Sequence, residues 1–233
     1  MAIGTPVNLG ANGVASATSL AITTGNAITA GDTVIVWFYC AATGGTVATL
    51  TDTAGNTYNL LASFASVAPL IQVYTCVNAT SMASSSSISA TFNGSAQRHG
   101  MAAYTISGLI NPNNADLHTI GTANKSQFTT STTTVSIPIN NSYSNIMLML
   151  EVLVAGSSYG TVTHSPSFTQ LGGTATNAFM SPAYFITSTT ASITSVQSWQ
   201  TGQVAGVFAF ALAGKPATNT SRQAQEGLTG VGA

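Results

Sequence analysis

Nowhere in this 233-residue chain do apolar residues recur at helical spacing. They come in short β-branched and aromatic runs, cut by clusters of Gly, Asn, Ser and Pro. Alternation over a few residues between turn formers is the signature of strands, and many short strands with frequent turns make an all-β sandwich or barrel. In the first half the pattern predicts strands over 20–23, 33–41, 47–52, 57–63, 70–77, 87–92 and 100–107. The run DTVIVWFYCA is apolar on both of its alternating faces. Its strand is therefore expected to lie centrally, with one face in a core and the other covered by a second layer.

The order of these segments then repeats. DTVIVWFYCA corresponds to NIMLMLEVLVA, TVATLTDTAGNTYNLL to GTVTHSPSFTQLGG, and LIQVYTCVNATSMASSSSISATF to SPAYFITSTTASITSVQSW. GMAAYTISG corresponds to GVFAFALAG, with Gly100 on Gly206 and Tyr104 on Phe210. Each half runs to roughly 105 residues, the size of a seven- or eight-stranded sandwich. The expected fold class is all-β: two similar antiparallel β-sandwich halves, Ig-like or jelly-roll-like, in tandem over 1–110 and 111–214. The Pro/Asn-rich stretch SGLINPNNADL marks the boundary, and separate domains and one interleaved sandwich both remain open. Residues 215–233 (KPATNTSRQAQEGLTGVGA) have no period and few apolar residues, so they cannot build a core of their own. They are read as an extended arm that contacts a neighbouring surface, with Lys215, Pro216, Arg222, Glu226 and Leu228 as candidate assembly contacts.

The succession of an apolar strand, TDTAGNTY, VYTCVN, SISATF and AAYTISGL resembles a widespread type of β-sandwich. That type occurs in bacterial surface proteins and phage structural proteins. The similarity covers most of residues 7–214 and rests on turn and strand positions. It implies the fold and a structural or surface role, and it carries over no catalytic residue.

Charge narrows the function classes further. Only nine residues are charged, 4% of the chain, against a hydrophobic content of 45% and a net charge of −1. An average soluble domain is about 25% charged. Four basic residues cannot build the electrostatic footprint of a nucleic-acid binder. No apolar run approaches the roughly 18 residues of a membrane helix, so no membrane insertion is expected. The N-terminus MAIGTPVNLG has neither basic residue nor apolar stretch, the opposite of a secretory signal. A Ser/Thr-rich, Lys-poor chain without such a signal is expected to have had a signal removed, to use another secretion route, or to leave by lysis as part of a virus particle. With little charge to repel its copies, it is expected to associate through contacts that hardly respond to salt. The expected function is a non-enzymatic structural component of a phage-like virion, as capsid decoration, head fibre or tail protein. Its expected partners are its own copies and other virion proteins. The alternative is a receptor- or carbohydrate-binding adhesin whose partner is a host-surface glycan, gripped by exposed aromatics.

Reactive side chains are few, and no cofactor is expected. Asp52, Gly55 and Asn56 in TDTAGNTY offer either oxygen ligands for calcium or an Asx-type turn. One acid in the loop favours the turn, because calcium takes six to eight oxygens. His99, His118 and His164 have no second His or Cys at metal-ligand spacing and read as surface or loop histidines. Glu151 interrupts IMLMLEVLV and is read as exposed, or buried and hydrogen-bonded. Cys40 and Cys76 could pair in an oxidising environment, but read better as buried free thiols.

Overall fold

The computed structural model describes residues 3–41, 45–64, 70–94, 97–109, 125–139, 147–155, 160–165, 168–172, 180–188 and 193–214. The candidate contacts Lys215, Pro216, Arg222, Glu226 and Leu228 therefore lie outside the described residues, as do His118 and the boundary stretch at 110–124. Every regular element described is a strand. In chain order they are β1 (Val7–Ala17), β2 (Ser19–Thr23), β3 (Thr33–Cys40), β4 (Val47–Asp52), β5 (Asn59–Phe64), β6 (Leu70–Cys76) and β7 (Ser87–Phe92). There follow β8 (Gln97–Ile106), β9 (Lys125–Ile139), β10 (Met147–Ala155), β11 (Val162–Ser165), β12 (Thr169–Gln170), β13 (Met180–Thr187) and β14 (Ile193–Ala213).

These strands form three antiparallel sheets. A central sheet runs β1-β8-β3-β6-β5, a small sheet runs β2-β7-β4, and a third runs β11-β14-β10-β13-β12 with β9 also paired to β14. The strands expected in the first half are all present, with ends shifted by at most three residues. β1 is the addition. Its sequence VNLGANGVASA has too many small residues to read as a strand, and it is broken by register shifts after Asn8 and after Val14. Gly10 fits the first of these irregular positions, with φ at 146° and no room for a Cβ beside the Ile22 side chain.

β3 shows how sequence becomes layering. All eight of its residues are buried. Val34, Val36 and Phe38 point into a core shared with Leu20 and Ile22 of β2 and Ile88, Ala90 and Phe92 of β7. Ile35, Trp37 and Tyr39 point the other way, into a core shared with Leu150 of β10, Met180 of β13 and Phe208, Phe210 and Leu212 of β14. A strand with a core on each side needs apolar residues on both faces, which VIVWFYC supplies after the buried Thr33. Each of the larger side chains contributes on the order of 1.5–3 kcal/mol by leaving water.

The second core joins residues from before and after the boundary stretch. Trp37 meets Phe208 edge-on at 6.0 Å and Phe210 at 5.3 Å. Polar contacts reinforce this junction: the Tyr104 hydroxyl reaches the Leu171 carbonyl at 3.4 Å, and Asn8 Nδ2 donates to the Gly172 carbonyl at 3.1 Å. A backbone bridge pairs Leu109 with Gly214.

Several buried polar atoms among the described residues lack a partner, and Gln197 contributes two of them. Gln197 on β14 is fully buried, yet neither of its amide atoms has a hydrogen-bond partner. A buried amide without partners costs about 1–3 kcal/mol. Gln197→Leu, close in size and apolar, is therefore expected to raise the thermal midpoint by a few degrees. Differential scanning calorimetry reads this directly, and a lowered midpoint would show that the amide is satisfied.

Candidate functional site

The turn after β4 concentrates a network of side-chain hydrogen bonds on Asp52. Asp52 Oδ1 accepts from the backbone N–H groups of Ala54 and Asn56, both at 3.0 Å. Its Oδ2 accepts from Asn56 Nδ2 and from the Tyr58 hydroxyl, both at 2.8 Å. Gly55 supplies the left-handed conformation the turn requires, with φ at 73°. Asn56 then ties the turn to the loop after β6, its Oδ1 accepting from the Thr80 N–H at 2.7 Å. The Asp-Gly-Asn signature is thus an Asx turn with a latch. Both carboxylate oxygens are engaged by protein donors, which is why the cluster needs no cation to hold its shape. Beside it lies a polar groove of about 400 Å3 lined by Asn56, Thr57, Asn59, Asn78 and Thr80.

Burial alone would raise the Asp52 pKa. Hydrogen bonds from the Asn56 side chain and backbone, from Tyr58 and from Ala54 outweigh it and hold the carboxyl below its usual range. The same burial, together with the bond to Asp52, drives the Tyr58 hydroxyl well above its ordinary value. Cys76 is pushed up to about 11 by burial and by the Asp52 charge, so its thiol stays protonated and unreactive at neutral pH. Cys40 and Cys76 are both buried as thiols, and they occupy opposite ends of the β3–β6 pair: Cys40 lies across from Leu70, Cys76 across from Val34. No disulfide can span that separation.

His99 departs from the surface position expected of it. β8 begins at Gln97, three residues before the strand expected from residue 100, and the imidazole is fully buried. Its ring stacks on Phe92 at 3.7 Å, with the planes 8° apart. Gly45 closes over it so tightly that a Cβ would collide with Cys40 Sγ and His99 Nε2. Burial lowers the His99 pKa, against the raising effect of the Gln97, Ala17 and Gly45 backbones. The native state thus holds a neutral imidazole, while the unfolded chain takes up a proton below about pH 6.5. Stability is lost as pH falls through that unfolded value. His99→Gln is expected to flatten the fall in urea-unfolding free energy between neutrality and about pH 5. An unchanged slope would refute the assignment.

His164 likewise leaves the loop assigned to it. It sits half-buried in β11, with Nε2 2.9 Å from the Ser181 hydroxyl, which also accepts from Gln170 Nε2 at 3.1 Å. A serine held by an imidazole is the beginning of a nucleophile, but Ser181 has no exposed surface from which to meet a substrate. Glu151 stands opposite Ala183 and Ala209 in the register of β10; its side chain lies outside the described residues.

The outer face of the small sheet is the remaining surface of note. Ser19, Thr91 and Thr49 form one cross-strand row; Ala21, Ser89 and Thr51 form the next. Thr49 and Thr91 hydroxyls bond at 2.6 Å across the strands. With Asn12 and Val14 of β1, these residues line a groove of about 400 Å3 that carries no charge. Comparison with protein-family models, with curated proteins and with solved structures finds no match. Function must therefore be argued from this surface and from the clusters above it.

The hydroxyl rows were present in the sequence as TLT and SISAT, alternations that register as strand but not as surface. What makes them a face is the pairing of β4 and β2 to either side of β7. No helix among the described residues is long and apolar enough to cross a membrane.

Proposed function

We propose that the chain is a duplicated β-sandwich of jelly-roll connectivity, acting as a non-enzymatic structural component of a phage-like particle. Strand pairing supports the duplication. β3 lies between β8 and β6, and β10 lies between β14 and β13. Tyr39 faces Gly100 as Val154 faces Gly206, the glycines that the repeat aligns. The Thr49–Thr91 hydroxyl bond of β4 and β7 has a counterpart between Thr163 of β11 and Ser198 of β14, also at 2.6 Å. β9 pairs with both ends of β14, the role β1 and β2 divide between β8 and β7. One half so ordered, 1-8-3-6-5 in one sheet and 2-7-4 in the other, follows the two-sheet winding of jelly rolls except that β5 stays beside β6 in the first sheet.

The observation that carries the functional reading is the outer hydroxyl face: neutral, regular and free of any group that performs chemistry. Ser and Thr hydroxyls both donate and accept, so such a face meets another neutral surface without desolvating charge. In this reading the arm at 215–233 adds contacts to neighbouring virion proteins. Purified protein is expected to associate with rising concentration, to nearly the same extent at low and high salt. Light scattering that finds a monomer throughout would remove the proposal's main support. The adhesin alternative requires exposed aromatics, and those whose side chains are described, Trp37, Tyr58, Tyr74, Tyr184 and Trp199 among them, are buried or half-buried. A glycan array is accordingly expected to stay blank.

A further inference from the structure

The strand edges of the first half are not treated alike. Antiparallel sheets seal or blunt their edges to avoid unwanted pairing. β1 and β2 seal each other: Asn12 Nδ2 caps the outward Ala21 carbonyl at 2.7 Å, Gly25 N–H caps the Leu9 carbonyl at 2.7 Å, and Asn26 Nδ2 caps the Asn8 carbonyl at 2.8 Å. Asn8 and Asn12 side chains accept from the N–H groups of Gly10 and Gly13. β5 is broken by a bulge between Leu60 and Ala62. β4 ends the small sheet with its register regular from Thr49 to Asp52.

The Thr53 N–H donates to the Ser87 carbonyl at 3.1 Å, which fixes the alternation. Thr49, Thr51 and Thr53 turn their backbones toward β7, so Leu50 turns both N–H and C=O outward. No described residue bonds those outward groups. Leu60, one of two large hydrophobics exposed among the described residues, sits on β5.

We propose that β4 pairs antiparallel with β4 of a second copy about a two-fold axis centred on Leu50. This rests on the assembly reading above and names the surface and partner it uses. The geometry is self-complementary. Centring on Leu50 sets Thr49 opposite Thr51 of the other copy, twice over, and extends the hydroxyl rows across the dimer as neutral Thr–Thr pairs. Asp52 falls opposite Ala48, so no like charges meet, and its carboxylate is already engaged in its own turn. A two-fold operator lets one edge serve both partners. A six-residue edge buries far less than the roughly 800 Å2 per partner of a stable interface. The dimer is therefore weak alone and concentration-dependent.

The test uses the full chain in sedimentation equilibrium, with amide hydrogen exchange read at Leu50. The wild type is expected to dimerise as concentration rises, with Leu50 exchange slowing in step. T49K/T51K, which sets ammonium groups against each other across the axis, is expected to remain monomeric with an unchanged melting point. T49E/T51E is expected to do the same alone and to restore dimers when mixed with T49K/T51K. A30K, in the exposed turn before β3, should dimerise like the wild type. If the wild type associates and T49K/T51K associates equally, neither the edge nor the hydroxyl rows beside it form the contact, while self-association through another surface stands. If the wild type stays monomeric at every concentration, self-association itself falls.

Discussion

Trp37→Ala is expected to lower the unfolding free energy by about 3–5 kcal/mol, the cost of an aromatic deleted from a core that cannot close over the gap. Trp37 has no exposed surface and packs against Phe208 and Phe210, which come from the far side of the boundary stretch. Its removal vacates the contact between the central sheet and the third sheet. The loss should appear as a shifted urea midpoint, with Trp37→Phe restoring a large part of it. A cost below about 1 kcal/mol would mean that the two sheets do not rest on this contact. The same substitution discriminates two organisations. If both cores unfold in one transition in the wild type, and the variant separates them into two, the tryptophan couples otherwise independent units.

Asp52→Ala is expected to cost about 2–3 kcal/mol, because four donors lose an ionised acceptor at once. The effect is electrostatic as well as steric, and pH separates the two. The folded carboxyl has a pKa below its unfolded value, so its stabilisation is fully present above the unfolded value, near 3.8. That stabilisation is lost as pH falls through the folded one. Asp52→Asn keeps the shape and an acceptor but not the charge. Its urea midpoint should thus sit below the wild type's at neutral pH and approach it in acid. Equal deficits at both pH values would assign the turn's stability to shape alone. Tyr58→Phe, which removes one of the four donors, should cost a fraction of the Asp52→Ala loss.

Much of the scaffold could be read directly from residue order. Alternation within short runs gave the strands from β2 to β8, because period-two patterning and turn formers act locally. The Asx turn at Asp52 was legible for the same reason: every atom that makes it lies within seven residues, save the latch to Thr80. β1 escaped because Gly, Ala and Asn carry weak strand preference, and only pairing with β8 makes VNLGANGVASA extended. His99 and His164 escaped because burial is not a property of a residue's neighbours in sequence. His99 is interior because Phe92 and Gly45 arrive from elsewhere in the chain to cover it.

The chain by itself determined an all-β fold, a doubly covered β3 and a surface with almost no charge, since these follow from which side chains alternate and which are missing. Tertiary structure alone decided what covers β3 on each side, which edge of the small sheet stays open, and where the hydroxyls of Ser19, Thr91 and Thr49 line up. Those outcomes depend on register between strands far apart in sequence. Register is set by long-range backbone hydrogen bonding and by whole faces packing together, so no single segment encodes it.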